Sequence, residues 1–432
     1  LPIAPVLVPL VAGAIMLLLP RQGLRRGLGM AAVLAQLALA LALLAQVADG
    51  TTLVYALGNW PAPYGIVLVA DRLAAWLLVT TALVALFALL YAVRGDDQAG
   101  PHFHALFQWQ LLGLNGAFLT GDLFNLFVFF EILLIASYAL LLHGRRDPGR
   151  TRAGLHFVVI NLLGSSLFLI AVGTLYGVLG TLNMADLAVK VAATPPASVG
   201  RVRAAGLLLF GVFALKAALL PLYLWLPAGY AQATAPVAAL FAIMTKVGAY
   251  SILRVFVPIF GPGAGPLTDL TGPWLLPLAL GTLAVGSLGA LAARGLRRQV
   301  AYLVVASVGS LLTGFGLGSA AGIAAGLYYL PHSTFAAAAL FLLADLIAKG
   351  RGGLADRLDP GPAIPGAVTL GALFFALAVV MAGLPPFSGF LGKALTLKAA
   401  LGHPLLPWVL GLVLLGGLRG LIARARSGSP LF

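Results

Sequence analysis

Five ionisable residues lie inside strongly apolar stretches of the sequence. Glu131 is the single glutamate of the 432-residue chain, and it lies within LFNLFVFFEILLIASYALLL. Lys216, Lys246 and Lys393 lie in similarly apolar surroundings, and His332 lies within GLYYLPHSTFAAAALFLLAD. Charged groups are costly at membrane depth, so they usually mark ion or proton pathways there. An acid, three bases and a histidine, which titrates near neutral pH, predict a route for protons or cations through a membrane.

Structural roles are the alternatives for the same residues. Lys216 is the natural partner of Glu131, but a buried Glu–Lys pair can also act as a staple that fixes helix register. The same alternative applies to Lys246 and Lys393. His332 can relay protons, or it can stay neutral with a hydrogen bond to a backbone carbonyl.

Two aspartates favour local structural roles. Asp345 lies four residues before Lys349, a spacing that predicts an ion pair on one helix. Asp122 lies in a short turn before an apolar run, where it is predicted to cap the following helix or to gate the outer end.

The sequence contains no signature of a catalytic centre. Cysteine is absent, which excludes disulfides, cysteine-ligated iron–sulfur clusters and thioether-attached haem. Gly392-Lys393 is followed by Ala394 instead of Ser or Thr, so it is not a phosphate-binding loop. No histidine or carboxylate cluster has metal-ligand spacing. We therefore predict no catalytic residues, no metal and no cofactor, and a transporter rather than an enzyme.

The composition predicts an all-α polytopic membrane protein. Hydrophobic residues make up 61% of the chain and charged residues 9%, whereas a soluble domain carries about 25% charged residues. The net charge is +14, but the basic residues cluster in short loops between apolar runs, which argues against nucleic acid as a partner.

Apolar runs of about 17 to 25 residues predict about 13–14 transmembrane helices. The first is followed by basic residues and is interpreted as a span, not as a cleavable signal. Thirteen runs are located at 3–19, 28–48, 72–93, 105–121, 123–142, 154–179, 204–226, 232–254, 275–293, 300–317, 320–347, 366–400 and 405–423.

The basic residues are distributed unequally between the two sides that these spans define. With the N-terminus outside, one side receives 17 and the other 6, which is the positive-inside pattern and supports both the span count and this orientation. The larger set is Arg21, Arg25, Arg26, Arg94, Arg145, Arg146, Arg150, Arg152, Arg294, Arg297, Arg298, Lys349, Arg351, Arg357, Arg419, Arg424 and Arg426. The smaller set is Arg72, Lys190, Arg201, Arg203, Arg254 and Lys398.

Prolines predict interruptions in two spans that are five apart. Pro221 follows Lys216 in the seventh span, and Pro385 and Pro386 precede Lys393 in the twelfth. A proline inside a span frees a backbone carbonyl, which needs a partner or a wet cavity. Since five is odd, two five-span units would have opposite topology, as in transporters built from inverted repeats with discontinuous helices.

The stretches that carry these residues resemble a known family. GDLFNLFVFFEILLIASYALLLHG (121–144) resembles the fifth-span signature of the D-type subunit of the multisubunit Mrp-type (Pha-type) Na⁺/H⁺ antiporters. FALKAALLPLYLWLPAGYAQATAPVAALFAIMTKVGAYSILRVF (213–256) is similar to the core that this subunit shares with the antiporter-like subunits of respiratory complex I. GLYYLPHSTFAAAALFLLADLI and GLPPFSGFLGKALTLKAAL extend the resemblance to nearly the whole chain.

The resemblance implies two inverted five-helix repeats with broken seventh and twelfth helices, and a polar axis at mid-membrane. Glu131 matches the family's fifth-span glutamate, and Lys216, Lys246 and Lys393 match its lysines in the seventh, eighth and twelfth spans. His332 matches the eleventh-span histidine. The implied division is an N-terminal three-helix segment at 1–104, a first repeat at 105–256 and a second at 274–426.

Two departures from the family pattern are visible. Many relatives have a lysine four residues after the eleventh-span histidine, where this chain has Ala336. The family has about 14 spans, so the final helix is expected to be absent from this sequence. The chain also begins without Met, and a trimmed start is expected.

These observations predict a proton-translocating subunit of a multisubunit Na⁺/H⁺ antiporter, driven by the proton gradient. Protons are expected to reach the Glu131–Lys216 pair and to shift charge along Lys246, His332 and Lys393. The expected partners are other subunits of the complex, protons, monovalent cations (Na⁺ first) and membrane lipids, in the bacterial cytoplasmic membrane. The alternatives are an antiporter-like pump subunit of complex I or of a membrane-bound hydrogenase, and an assembly scaffold whose charges only hold helices together.

Overall fold

The structure is a computed structural model that describes residues 1–144, 147–361 and 364–432. It is predominantly α-helical. The helices are α1 (Ala4–Leu18), α2 (Gln22–Gln46), α3 (Arg72–Ala92), α4 (Phe103–Leu119), α5 (Leu123–Leu141), α6 (Pro148–Leu179), α7 (Met184–Ala192), α8 (Pro196–Ala217), α9 (Trp225–Gln232), α10 (Ala235–Phe241), α11 (Met244–Ile259), α12 (Gly272–Ala292), α13 (Leu296–Gly316), α14 (Ala320–Gly350), α15 (Ala367–Ala382), α16 (Ser388–Ala399) and α17 (Leu406–Leu431). Short 3₁₀ turns lie at Leu57–Asn59, Asp96–Gln98, Gly265–Leu267 and Gly352–Leu354.

The helices confirm the all-α membrane architecture predicted from the apolar runs. Each of the thirteen predicted runs coincides with one helix or with two consecutive helices. Within the described ranges, ten helical segments are long and apolar enough to cross a membrane, and α1 and α15 are shorter apolar helices. Arg145 and Arg146, which contribute to the predicted orientation, lie outside the described residues.

A β-hairpin and a short helix lie in connections for which the apolar runs predict no structure. β1 (Leu53–Ala56) pairs antiparallel with β2 (Val67–Ala70) in the connection between α2 and α3. α7 forms within the connection between α6 and α8, where the Asn183 side chain accepts hydrogen bonds from the first backbone N–H groups of the helix. Neither element is long enough to produce an apolar run of membrane length, so hydropathy does not indicate them.

The described residues form two compact units. Unit 1 consists of Leu1–Lys216 and Tyr250–Thr271, and unit 2 of Ala217–Ala249 and Gly272–Phe432.

In unit 1, α4 packs against α1 and α5, α2 packs against α3, and α5 packs against α6. Small residues allow close helix approach: a Cβ at Gly113 of α4 would lie 2.4 Å from Leu133 Cβ of α5. Asp71 caps α3 by accepting from Ala74 N at 2.9 Å, and it also binds both Nη atoms of Arg254 at 2.6 and 2.8 Å. This bidentate ion pair ties α11 to the start of α3.

In unit 2, α13 packs against α12 and α14, α14 packs against α16, and α12 packs against α17. A Cβ at Gly309 of α13 would lie 2.3 Å from the backbone N of Leu283 in α12, so these two helices are in near-backbone contact. Gln299 Nε2 of α13 donates to Ala423 O at 3.1 Å and to Ser427 Oγ at 2.8 Å in α17. This amide fixes α17 on the core of the unit.

The seventh span is interrupted where Pro221 predicts an interruption. α8 ends at Ala217, and helical structure resumes at Trp225. In a continuous helix the carbonyl of residue 217 would accept from the N–H of residue 221. Proline has no N–H, so the helix loses its next hydrogen bond at this point.

The twelfth span shows the same relation between its break and its prolines. α15 ends at Ala382, and α16 begins at Ser388. Pro386 is four residues after Ala382, so the Ala382 carbonyl has no helical donor. Pro385 precedes it and lies within the same non-helical segment.

Candidate functional site

Glu131 lies in the middle of α5 and its side chain is partly exposed. α5 is a continuous apolar helix whose start is set by Asp122, because its carboxylate accepts from Asn125 N at 2.8 Å. The capping role predicted for Asp122 is therefore confirmed. The Glu131 carboxylate accepts a hydrogen bond from Ser165 Oγ on α6.

Lys216 lies in the last turn of α8, directly before the interruption of the seventh span. Its side chain is 5% exposed. The ammonium donates to Asn161 O at 3.2 Å and to Asn161 Oδ1 at 3.4 Å, and it lies 5.9 Å from the centre of the Phe130 ring. A helix C-terminus also favours a cation, because its last carbonyls carry partial negative charge.

Two residues of α6 connect the acid and the base. Ser165 Oγ lies 3.1 Å from Asn161 O and also donates to the carboxylate of Glu131. Glu131 and Lys216, both among the described residues, form no direct ion pair, and their charges interact through this Glu131–Ser165–Asn161–Lys216 network. Lys216 is thus linked to Glu131, the partner expected from the sequence, through Ser165 and Asn161 and not by direct contact.

Asn161 and Ser165 do not stand out among the charged residues of the sequence, although a signal is present. They are four residues apart in an apolar helix, so they lie on the same face. A polar pair at this spacing inside a span indicates a polar contact with another helix.

Lys246 is fully buried, at 0% exposure, near the start of α11. The span that contains it is interrupted at residues 242–243, between α10 and α11. Its ammonium lies 3.4 Å from Ser307 Oγ of α13.

A small cavity of about 30 Å³, enough for about one water molecule, lies inside unit 2. Its polar lining comes from four helices and comprises Ser307, Ser310, Tyr329, Lys393 and Arg424. Because Ser307 both lines the cavity and contacts the ammonium of the α11 lysine, two of the predicted lysines reach one polar region.

Lys393 is held by the break in the twelfth span. Its Nζ donates to the Ala382 carbonyl at 2.5 Å, which is the carbonyl left without a helical donor by Pro386. The interruption therefore provides the acceptor that a lysine needs within an apolar span.

His332 is buried in α14, at 7% exposure, and contacts the same break. Its Nδ1 lies 2.9 Å from Ser388 Oγ, at the start of α16. Its Nε2 has no hydrogen-bond partner among the described residues, and a Cβ at Gly389 would lie 2.9 Å from it. The observed partner is a hydroxyl rather than the backbone carbonyl considered from the sequence, and the protonated nitrogen depends on the tautomer.

Asp345 lies apart from this site and forms an ion-pair cluster. Its carboxylate lies 2.7 Å from Lys349 Nζ and 2.5 Å from Arg297 Nη2. The predicted i,i+4 pair is confirmed, and Arg297 is a partner that the spacing alone does not indicate.

The predicted residues are thus gathered into two sets. Glu131 and Lys216 belong to the network in unit 1. Lys246, His332 and Lys393 belong to unit 2, around Ser307, Ser388 and the cavity. The structure adds hydroxyl and amide groups next to these ionisable residues, which satisfy their hydrogen-bonding capacity inside apolar spans.

Comparisons with known proteins identify the family of this chain. The family described as NADH:quinone oxidoreductase/Mrp antiporter, TM, matches residues 120–418. The chain is 43% identical over 465 residues to the D-type subunit of a probable K(+)/H(+) antiporter of Rhizobium meliloti (strain 1021), covering 100% of this chain and 86% of that protein. It is 43% identical over 341 residues to the D-type subunit of the Na(+)/H(+) antiporter of Bacillus subtilis (strain 168), covering 78% and 67%.

A solved structure supports the same relationship. A chain in the structure of the Mrp complex from Dietzia sp. DQ12-45-1b superposes with a TM-score of 0.87 and 31% identity, covering 98% of this chain and 78% of that one. The chain therefore belongs to the NADH:quinone oxidoreductase/Mrp antiporter transmembrane family.

Proposed function

We propose that this chain is the proton-translocating subunit of a multisubunit antiporter that exchanges a monovalent cation for protons. The observation that carries the proposal is the pairing of each mid-span charge with a polar group on another helix or at a helix break. The names of the Rhizobium and Bacillus relatives support K⁺ or Na⁺ as the exchanged cation, and Na⁺ is the one we test first.

The geometry supports two proton-transfer sets. In unit 1, Glu131 takes up a proton and Lys216 responds through Ser165 and Asn161. In unit 2, Lys246 and Lys393 exchange protons through Ser307 and the water-sized space of the cavity, while Ser388 orients His332. In unit 1 the coupling to Lys216 is electrostatic, because the Asn161 oxygens only accept hydrogen bonds. In unit 2 each transfer passes between amines, a hydroxyl and water, which both donate and accept.

The orientation and environment are part of the proposal. The N-terminus lies outside a bacterial cytoplasmic membrane, with anionic lipids and further antiporter subunits as neighbours. Residues 1–104 form an N-terminal segment, and residues 105–256 and 274–426 form two inverted repeats. The similar relation of Pro221 and Pro386 to the helix ends supports the repeat.

The test is cation-dependent dissipation of ΔpH in inverted vesicles that contain the intact complex. Glu131→Gln keeps the shape of the side chain but removes its charge. We expect at least about a ten-fold loss of exchange, because an essential acid–base group is removed. Asp186→Asn, in a partly exposed i,i+4 pair with Lys190, is the matched control and should exchange normally.

Complex assembly is measured in both variants by co-purification of the other subunits. Normal exchange in an assembled Glu131→Gln complex would exclude Glu131 from the pathway. A lower yield with unchanged exchange per assembled complex would instead support the scaffold role.

The second candidate is a pump subunit of an NADH:quinone oxidoreductase-like complex. The matching family includes both kinds of protein, which is the observation that favours it. Co-purification with subunits that carry iron–sulfur clusters would support this candidate, and exchange without any redox substrate would exclude it.

A further inference from the structure

Arg424 is a buried arginine whose side chain has no hydrogen-bond partner among the described residues. Its position beyond the thirteenth predicted span indicates a loop, but α17 continues past it to Leu431. Its side chain is 1% exposed, and its Nε, Nη1 and Nη2 atoms have no hydrogen-bond partner in the part of the chain that the structure describes. An unpaired charge in such a position is costly, so it calls for a functional explanation.

The guanidinium faces the same cavity as Lys393. A Cβ at Gly417 would lie 2.8 Å from Lys393 Nζ, and a Cβ at Gly420 would lie 3.2 Å from Arg424 Nη2. Gly417 and Gly420 are three residues apart on α17 and therefore share one face of the helix, about 5–6 Å from each other. The two cationic groups thus lie side by side along a glycine surface that leaves them room.

The groups that surround the two cations do not neutralise them. Ser307 and Ser310 of α13 and Tyr329 of α14, which carry hydroxyl groups, line the cavity. α12 and α15 contribute apolar side chains, and none of the described residues that line the cavity is a carboxylate. His332 of α14 interacts electrostatically with Lys393 and with Lys246 of α11, and all three are bases.

Two like charges at one small cavity repel each other, and the repulsion is strong where water is scarce. A guanidinium stays protonated under all physiological conditions. A lysine ammonium can lose its proton. Of the two, only Lys393 can relieve the repulsion by changing its charge.

We propose that Arg424 is a positioning residue for proton transfer: its fixed positive charge promotes release of the proton from Lys393. The N–H bond of the ammonium breaks, the proton passes to a water molecule in the cavity, and a neutral amine remains on Lys393. This inference rests on the proposed antiporter function, because it assigns a role within the proton pathway of unit 2.

The experiment measures cation-dependent exchange against pH in inverted vesicles containing the intact complex. The variants are Arg424→Gln and Arg424→Met, which remove the charge, and Arg424→Lys, which retains it. Arg419→Gln removes a charge from the same helix at a position that does not line the cavity, and it is the matched control.

The expected result is a displaced pH profile. Without the neighbouring charge, Lys393 keeps its proton to higher pH, so the rising limb of exchange moves to alkaline pH by about one pH unit. Arg424→Lys should move it less, and Arg419→Gln should not move it. Replacement of chloride by gluconate should leave the wild-type profile unchanged.

Several outcomes would overturn the inference. One is an unshifted profile in assembled Arg424→Gln or Arg424→Met complexes. An equal shift in all three Arg424 variants would show that shape matters rather than charge. A halide-dependent profile would show that a bound anion neutralises the arginine. Different results would contradict the proposed function itself. These are a wild-type complex that shows no exchange, or assembled Glu131→Gln complexes that exchange normally.

Discussion

Ser165 and Ser166 show how closely the polar network of unit 1 depends on single side chains. Ser165 Oγ contacts both Glu131 and Asn161 O. Ser166 is exposed, and its Oγ donates to the Leu162 carbonyl of its own helix at 3.2 Å. Two adjacent serines therefore differ in whether they reach the ionisable group.

Ser165→Ala should lower cation-dependent exchange by about ten-fold, since it removes a charge-assisted hydrogen bond from the carboxylate. Ser166→Ala is the matched control and should retain wild-type exchange. The measurement is ΔpH dissipation per assembled complex in inverted vesicles. Equal activity of the two variants would show that Ser165 does not transmit between Glu131 and Lys216.

Asp97 is a buried carboxylate outside the membrane spans, in the connection after α3. Its oxygens accept from Arg26 Nε at 2.6 Å, Arg26 Nη2 at 2.8 Å and Gln22 Nε2 at 3.0 Å, and one lies 2.9 Å from His104 Nε2. Burial by itself raises the pKa of Asp97, but the hydrogen bonds from Arg26, His104 and Gln22 outweigh it and lower the pKa to about 2.

A lowered pKa means that ionised Asp97 stabilises the folded state above the ordinary value of 3.8 and loses this contribution as pH falls towards about 2. Asp97→Asn should therefore lower the melting temperature of the solubilised complex at neutral pH. The difference from wild type should shrink below about pH 4. A pH-independent difference would show that the charge of Asp97 is not its source. Asp186→Asn, at a partly exposed ion pair, should show little effect at any pH.

Among the structural elements, the interruptions of the seventh and twelfth spans share one physical cause. Each helix ends four residues before a proline, at Ala217 before Pro221 and at Ala382 before Pro386. In the twelfth span the freed carbonyl has a known use, because it accepts from Lys393 Nζ. The break thus places a strong acceptor beside a lysine that the apolar span could not otherwise solvate.

Pro386→Ala should weaken exchange by several-fold. It restores an N–H that can bind the Ala382 carbonyl if α15 extends, and that N–H would then compete with Lys393 for the carbonyl. Pro277→Ala is the control, because Pro277 lies within α12, which continues without interruption. The readout is again exchange per assembled complex. Full activity of Pro386→Ala would show that the interruption between α15 and α16 does not depend on the absence of an N–H at residue 386.

For the whole molecule, the absence of cysteine makes membrane orientation directly testable. Gly263 and Gly353 are exposed, and a Cβ at either position would meet no atom within 4 Å. The first follows the eighth predicted span and the second follows the eleventh, so an N-terminus outside predicts opposite sides for them.

Gly263→Cys should react with a membrane-impermeant maleimide in right-side-out vesicles, and Gly353→Cys in inverted vesicles. The cysteine-free parent is the control and should remain unlabelled. The reverse pattern would place the N-terminus inside. Labelling of both from one side would show that the predicted span count between them is wrong.

Local chemistry was enough to predict the spans, the interruptions of the seventh and twelfth spans and the charged residues within the spans, but not the interruption between α10 and α11. Apolar runs of membrane length, prolines without an N–H and the cost of charge in hydrocarbon are all visible along the chain. The hairpin β1–β2 and α7 could not be predicted in this way, because short elements in connections produce no signal of membrane length.

The side chains that contact the charged residues within the spans are determined by helix packing, and the sequence alone could not predict them. Asn161 and Ser165 lie between Glu131 and Lys216, and Arg424 faces the cavity beside Lys393. Contacts between residues distant in the chain depend on how helices pack and rotate, which hydropathy does not encode. An isolated arginine near the end of a span has the same local sequence signal as a topological charge, so only packing could distinguish them.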